Sequence, residues 1–128
     1  MITPYSNIIS VTTLEALLLD TYTGAAAAYS LRKLRSAYTG SAIKVRRSVG
    51  SPSEKDIGFV NNQLDVADLE SFCSGTDGFV VTWYDQSGNG RDATQTTAAS
   101  QPQIVSSGSV ILENGKPCIF SDGINDFL

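Results

Sequence analysis

The chain has 128 residues, of which 41% are hydrophobic and 17% are charged, and its formal net charge is -4. This length suits one domain with a real core, and the composition excludes a disordered chain. The absence of histidine excludes Ser-His-Asp and Cys-His catalysis and removes the usual zinc ligands. No stretch reaches the roughly 18 apolar residues of a membrane span.

The amino-terminal part predicts a short helix. Residues 12–24, TTLEALLLDTYTG, carry leucines at helical spacing behind a threonine cap and end on a glycine. The start of the chain lacks the basic residues and the small-residue cleavage site of a signal peptide. We therefore assign residues 1–24 to an amino-terminal helical segment that could serve as an anchor.

The next stretch is ambiguous and is followed by a clear strand. Residues 25–40 begin with alanines that favour a helix and continue with an alternation that suits a strand, so both remain open. In residues 41–48, SAIKVRRS, apolar and basic side chains alternate as in a half-buried strand. Residues 49–55 have the composition of a surface loop, and residues 56–60 predict a brief strand.

A second helix and a buried strand are predicted in the middle of the chain. Residues 64–75, LDVADLESFCSG, place apolar residues on one helical face, with Asp65 as the cap and Gly75 at the end. Residues 78–86, GFVVTWYDQ, are apolar at both odd and even positions, which indicates a central strand covered on both faces.

The remaining chain predicts turns and strands. Residues 101–107 form one strand, and residues 109–120 form a hairpin around Asn114 and Gly115, a pair that favours the tight turn between two strands. Residues 121–128, SDGINDFL, predict a turn that leads into another strand.

A polar turn follows the buried strand. Asp85 at the strand end could act as a general acid or base, or as one ligand of a cation. The alternative is structural: Asp85 and Ser87 accept backbone hydrogen bonds, Gly88 and Gly90 supply positive φ, and Asn89 tolerates it. We favour the structural turn, because short polar side chains between glycines are what such a turn needs.

Calcium is the one cation that the sequence suggests. Asp122, Asn125 and Asp126 offer oxygen ligands, and the two aspartates could meet Asp85 if the two turns lie side by side. However, the spacing is not that of an EF-hand loop, and a turn needs the same residue types for its backbone dihedrals. We therefore predict no metal, no other cofactor and no catalytic residue, with calcium at these three aspartates as the alternative.

The basic residues and the cysteines complete the chemical inventory. Nucleic-acid binding is disfavoured for the basic cluster, because the chain is acidic and no stacking aromatics interleave it. A solvated strand face or a subunit contact is expected instead. Two cysteines, Cys73 and Cys118, allow at most one disulfide, and we favour a pair of buried thiols. The basic cluster consists of Arg32, Lys33, Arg35, Lys44, Arg46 and Arg47.

Two stretches carry a family resemblance. WYDQSGNGRDATQ at 83–95 and NGKPCIFSDGINDFL at 114–128 resemble the opening of concanavalin A-like (laminin-G-like) β-sandwich domains. The region from residue 25 to the polar turn further resembles the amino-terminal part of the catalytic domain of arabinofuranosidase B-type glycoside hydrolases, and a similar arrangement in bacteriophage tail and fibre proteins. The resemblance implies a mainly β fold for residues 25–128: the amino-terminal portion of a jelly-roll sandwich, with two short helices in the whole chain.

The resemblance also shapes the expected function. It implies that the catalytic carboxylates of the hydrolases lie beyond the position matching Leu128, so we expect no catalysis by this chain alone. We expect a bacteriophage virion component of the tail, fibre or capsid decoration, without an export signal, that contacts other virion proteins, further copies of itself or a cell-surface glycan. The alternatives are the amino-terminal part of an arabinofuranosidase-type glycoside hydrolase and a stand-alone carbohydrate-binding module.

Overall fold

The computed structural model describes residues 16–128. Helix α1 spans Leu18–Thr21 and helix α2 spans Val66–Phe72. The predicted mainly β class is confirmed, and the described residues contain two short α-helices. The strands are β1 Ile43–Arg47, β2 Glu54–Ile57, β3 Phe59–Val60, β4 Gln63–Leu64, β5 Gly78–Trp83, β6 Ala93–Thr94, β7 Gln103–Ser106, β8 Ser109–Val110, β9 Leu112–Glu113 and β10 Lys116–Pro117.

The main sheet is antiparallel, curled and centred on β5. Its strand order is β2-β1-β5-β7-β8, and β6 also pairs with β5. The prediction of a central strand is therefore confirmed. Val45 of β1 lies opposite Val80 of β5, with a register shift beside them. Two short hairpins, β3-β4 and β9-β10, lie outside this sheet.

Helix α2 covers one face of the sheet. Asp65 caps it by accepting a hydrogen bond from the Asp68 backbone N–H at 3.0 Å, as predicted, and Leu69 and Phe72 are buried. The helix approaches β5 closely at Gly78, where an added Cβ would lie 2.8 Å from the sulfur of Cys73. This contact explains why a glycine opens the central strand. The buried hydrophobic core consists of Ala42, Ile43, Val45, Ile57, Leu64, Leu69, Phe72, Cys73, Val80, Ile104 and Val105.

Several predicted boundaries shift. Helix α1 ends at Thr21 rather than near Gly24, and residues 12–15 of the predicted helix lie outside the described residues. Strand β2 begins at Glu54, inside the predicted loop, because its backbone pairs with β1 from Arg46 onward. The hairpin turn at Asn114 and Gly115 is confirmed, with positive φ at both residues.

The predicted strand after residue 120 is wrong. Apart from an isolated bridge between Gln103 and Phe120, no strand is assigned there within the described chain. The Phe127 backbone N–H instead donates to the Ser100 carbonyl at 3.1 Å. Because this segment pairs with the 3-10 turn at Ala98–Ser100, it does not extend the sheet ladder.

Within residues 16–128, no helix has the length and apolar composition needed to cross a membrane. The division of the chain into segments 1–24 and 25–128 stays a prediction.

Candidate functional site

The polar turn, residues 85–90, lies where β5 ends. Asp85 is only 4% exposed, and its two carboxylate oxygens accept four hydrogen bonds. The donors are the backbone N–H of Ala28 at 2.8 Å, the backbone N–H and hydroxyl of Ser87 at 2.8 Å each, and the backbone N–H of Arg91 at 3.0 Å. These donors occupy the lone pairs that a substrate or a cation would need.

The electrostatics of Asp85 point the same way. Burial by itself raises the pKa of this carboxyl group, but hydrogen bonds from Ser87, Ala28 and Arg91 outweigh burial and lower the pKa to about 2. A group with that pKa carries no proton at the pH where most general acids work. Asp85 therefore serves as a structural anion in this fold.

The Gln86 side chain forms hydrogen bonds with the backbone of residues 30–34, as a neighbouring strand would. Its side chain is fully buried, and its amide oxygen accepts a hydrogen bond from the Leu34 backbone N–H at 2.8 Å. Its amide nitrogen donates to the carbonyls of Ser30 at 3.2 Å and Arg32 at 3.0 Å. The sequence pattern places Gln86 at the end of the predicted strand 78–86 and assigns it no role; the one signal is a polar side chain just past the apolar residues of that strand.

These bonds fix residues 25–36, which we call the strap. The strap is neither helix nor strand. Apart from an isolated bridge between Arg32 and Gln63, side chains of the polar turn supply many of its backbone partners. The Asn89 amide nitrogen donates to the carbonyls of Ala25 at 2.9 Å and Ala26 at 3.0 Å. Gly88 and Gly90 have positive φ, whereas Asn89 contributes through its side chain rather than through that dihedral.

The second acidic turn also uses its oxygens internally. Asp122 accepts hydrogen bonds from the backbone N–H groups of Ile124 at 2.8 Å and Asn125 at 3.2 Å, which lower its pKa. Asp126 accepts one from the Asp122 backbone N–H at 3.0 Å. In the described part of the chain, no three acidic or cysteine side chains cluster closely enough to hold a metal ion, so Asp85, Asp122 and Asp126 form no such group.

Three arginines of the basic cluster make internal contacts rather than a solvated face. The Arg46 guanidinium lies 4.8 Å from the centre of the Phe79 ring, and the Arg47 guanidinium lies 4.8 Å from that of Phe72. Arg35 donates to the Ser87 carbonyl at 3.1 Å. The two cysteine thiols are both free, but only Cys73 is buried, whereas Cys118 is half-buried.

A cleft of about 750 Å³ opens between the strap and the β9-β10 hairpin. Strap residues 29–32, strand β4, Trp83 and residues 115–117 of the hairpin line it. We call it the strap cleft. Its volume falls in the range of small-molecule sites, roughly 300–1,000 Å³.

The catalytic-domain model of alpha-L-arabinofuranosidase B matches residues 19–114. The chain belongs to this family. The match spans the strap, the polar turn and all six strands of the main sheet, so these features are part of the family's domain. The resemblance to the arabinofuranosidase B catalytic domain is thus confirmed.

Two solved arabinofuranosidases share the fold. One is a mutant GH54 α-L-arabinofuranosidase soaked with 4-nitrophenyl α-L-arabinofuranoside, at 25% identity and a TM-score of 0.56 over 69% of this chain and 21% of that one. The other is an arabinofuranosidase complexed with arabinofuranosyl-α-1,2-xylobiose, at 27% identity and a TM-score of 0.52 over 71% of this chain and 20% of that one. The chain therefore spans about a fifth of their length, and no curated protein matches it.

Proposed function

We propose that this chain forms part of the catalytic domain of a glycoside hydrolase that acts on α-L-arabinofuranosides. One observation carries the proposal: the family match over residues 19–114 covers the strap, the polar turn and the main sheet together. The two solved relatives were each studied with an arabinofuranosyl compound, which supports the same substrate class. In this proposal the Asp85 and Gln86 bonds build the framework, and the chemistry is done elsewhere in the domain.

The hydrogen bonds of the acidic residues support placing the catalytic carboxyl groups elsewhere in the domain. A glycosidase of the usual kind needs two carboxyl groups that face a sugar, one of them able to deliver a proton. Most carboxylates of residues 16–128 instead accept hydrogen bonds from the chain itself. They are Asp20, Asp56, Asp65, Asp68, Glu70, Asp77, Asp85, Asp92, Asp122 and Asp126. We propose that the catalytic pair is contributed by residues outside this chain.

A concanavalin A-like sandwich is the finer part of the proposal. The curled main sheet has α2 on one face, and a sandwich requires a second sheet. Large apolar side chains near the end of the chain support a further layer, since Ile124 is 87% exposed and Phe127 is 64% exposed. A second sheet in contact with these residues would bury them.

The virion interpretation has no support in the structure or in the comparisons, which favour the hydrolase alternative. Self-association, glycan attachment and an extracellular location stay predictions.

Two measurements test the proposal. The first is the reading frame at the natural locus: a product that continues into the rest of an arabinofuranosidase catalytic domain supports it. The second is the release of 4-nitrophenol from 4-nitrophenyl α-L-arabinofuranoside. We expect release by such a longer product and none by the 128-residue chain. Turnover by this chain would contradict the assignment of the catalytic pair, and a longer product inactive on all arabinofuranosides would overturn the proposed function.

A further inference from the structure

We propose that the strap cleft binds an acidic sugar, a uronosyl residue carried on an oligosaccharide. The inference rests on the proposed function in one respect: it takes carbohydrate as the ligand class. The positive charges and hydrogen-bond donors that line the cleft then favour an acidic sugar over a neutral one.

The first support is a fixed aromatic pair. The rings of Tyr29 and Trp83 lie with their centres 6.0 Å apart at an interplanar angle of 49°. Tyr29 is 38% exposed, and its hydroxyl donates to the Arg91 carbonyl, which holds the ring in place. Aromatic side chains with an apolar face and a polar edge suit ligands such as sugars, which have both kinds of surface.

The second support is a buried donor without an acceptor. Trp83 lines the cleft, and within the described part of the chain its indole N–H is buried without a hydrogen-bond partner. Such groups are rare in folded proteins, because an unpaired buried donor loses its hydrogen bond to water. Because protein atoms cover this N–H, an oxygen of a bound ligand would supply the acceptor only after the covering side chains move.

The third support is the charge of the lining. Arg32 and Lys116 line the cleft together with Ser30 and Gln63, and no acidic residue lines it. The Ser30 hydroxyl already accepts a hydrogen bond from the Arg32 backbone N–H at 3.1 Å. The cleft thus offers many donors, two of them cationic, and few acceptors. A carboxylate-bearing sugar complements that set better than a neutral sugar, which needs acceptors for its hydroxyl protons.

An apolar polypeptide segment is the competing occupant. Leu31, Leu64 and Val66 line the cleft and would suit one. The cationic lining and the unpaired indole N–H favour the sugar, because an apolar side-chain surface offers these donors no acceptor.

The test is a titration followed by nuclear magnetic resonance. Trp83 is the only tryptophan, so the indole N–H gives one unique signal. The 128-residue chain is titrated with xylotriose and with the same trisaccharide carrying one 4-O-methylglucuronosyl branch. We expect the branched compound to shift the Trp83 signal, xylotriose to bind at least about tenfold more weakly, and added salt to weaken the branched compound.

Three variants separate binding from folding. Arg32→Gln with Lys116→Gln removes both charges from exposed positions, and we expect about tenfold weaker binding. Trp83→Phe keeps a ring and removes the donor; binding, followed through the backbone signals of residues 29–32, is expected to weaken several-fold. Lys44→Gln removes one charge from the opposite face of the sheet, as Lys44 follows Ile43, the residue paired with Trp83. It should leave binding unchanged.

Three results would overturn the inference: no binding of the branched compound, equal binding of both compounds, or an equal loss in Lys44→Gln and in the double variant. A longer product in which polypeptide shields the Trp83 indole N–H and no sugar binds would also overturn it. None of these results bears on the proposed function, because hydrolysis of the chromogenic arabinofuranoside is measured separately.

Discussion

The side-chain oxygen of Gln86 accepts a hydrogen bond from the Leu34 backbone N–H at 2.8 Å, joining residues 52 positions apart in the sequence. The Gln86 amide nitrogen also donates hydrogen bonds to two strap carbonyls. One buried side chain thus gives the strap backbone three hydrogen bonds of the kind that a neighbouring strand provides. The side chains of the polar turn therefore hold the strap against the main sheet.

Replacing Gln86 with alanine should lower the free energy of unfolding by about 3 kcal/mol, because the Leu34 N–H and two carbonyls lose their partners inside the protein. Urea denaturation followed by tryptophan fluorescence measures the change. Gln63→Ala removes the same side chain from an exposed position and should cost less than about 0.5 kcal/mol. Equal costs for the two variants would show that the Gln86 bonds contribute little.

Asp85 should make stability depend on pH in the acidic range. Its pKa is about 2 in the folded chain and 3.8 in the absence of the fold. The stabilisation is thus complete above pH of about 4 and is lost as the pH falls toward about 2, with a total of about 2 kcal/mol. Urea midpoints between pH 2 and pH 6 measure it.

The matched variants for that experiment are Asp85→Asn and Glu113→Gln. The first should be less stable at neutral pH and should lose this part of the pH dependence. The second, at an exposed position, should keep the wild-type slope. A wild-type slope in Asp85→Asn would contradict the assignment of the titrating group.

Gly78→Ala should destabilise the chain by about 1–3 kcal/mol through overpacking. The new Cβ would lie 2.8 Å from the Cys73 sulfur and 3.0 Å from the Val105 Cβ. Cys73→Ala makes room on one side, so the double variant should recover part of the loss; thermal unfolding of the four proteins in this cycle measures the coupling. Strict additivity would argue against the helix contact as the cause.

Calcium should not change the melting temperature. The Asp85 and Asp122 oxygens are engaged by backbone N–H groups, and a cation would have to displace those bonds. Thermal unfolding with millimolar Ca²⁺ and with a chelator measures the difference. A rise in melting temperature that Asp122→Asn abolishes would instead identify a calcium site at the second turn.

Local sequence patterns determined much of the framework. The capped helix after Asp65, the central strand beginning at Gly78 and the hairpin at Asn114 each follow from spacing and turn chemistry within a dozen residues. The same patterns did not decide between helix and strand for the strap, because its hydrogen-bond partners, such as Gln86, are distant in the sequence. A hydrogen bond between Gln86 and Leu34 has no local signature.

The sequence by itself determined where the polar turn lies and that its residues suit a turn. Only the tertiary structure decided what the turn does, since burial and four converging donors make Asp85 a fixed anion rather than an acid. Likewise, only the fold brings Tyr29, Trp83 and Lys116 to one cleft. Spacing along the chain carries backbone preferences, whereas pKa, burial and ligand geometry depend on contacts between distant residues.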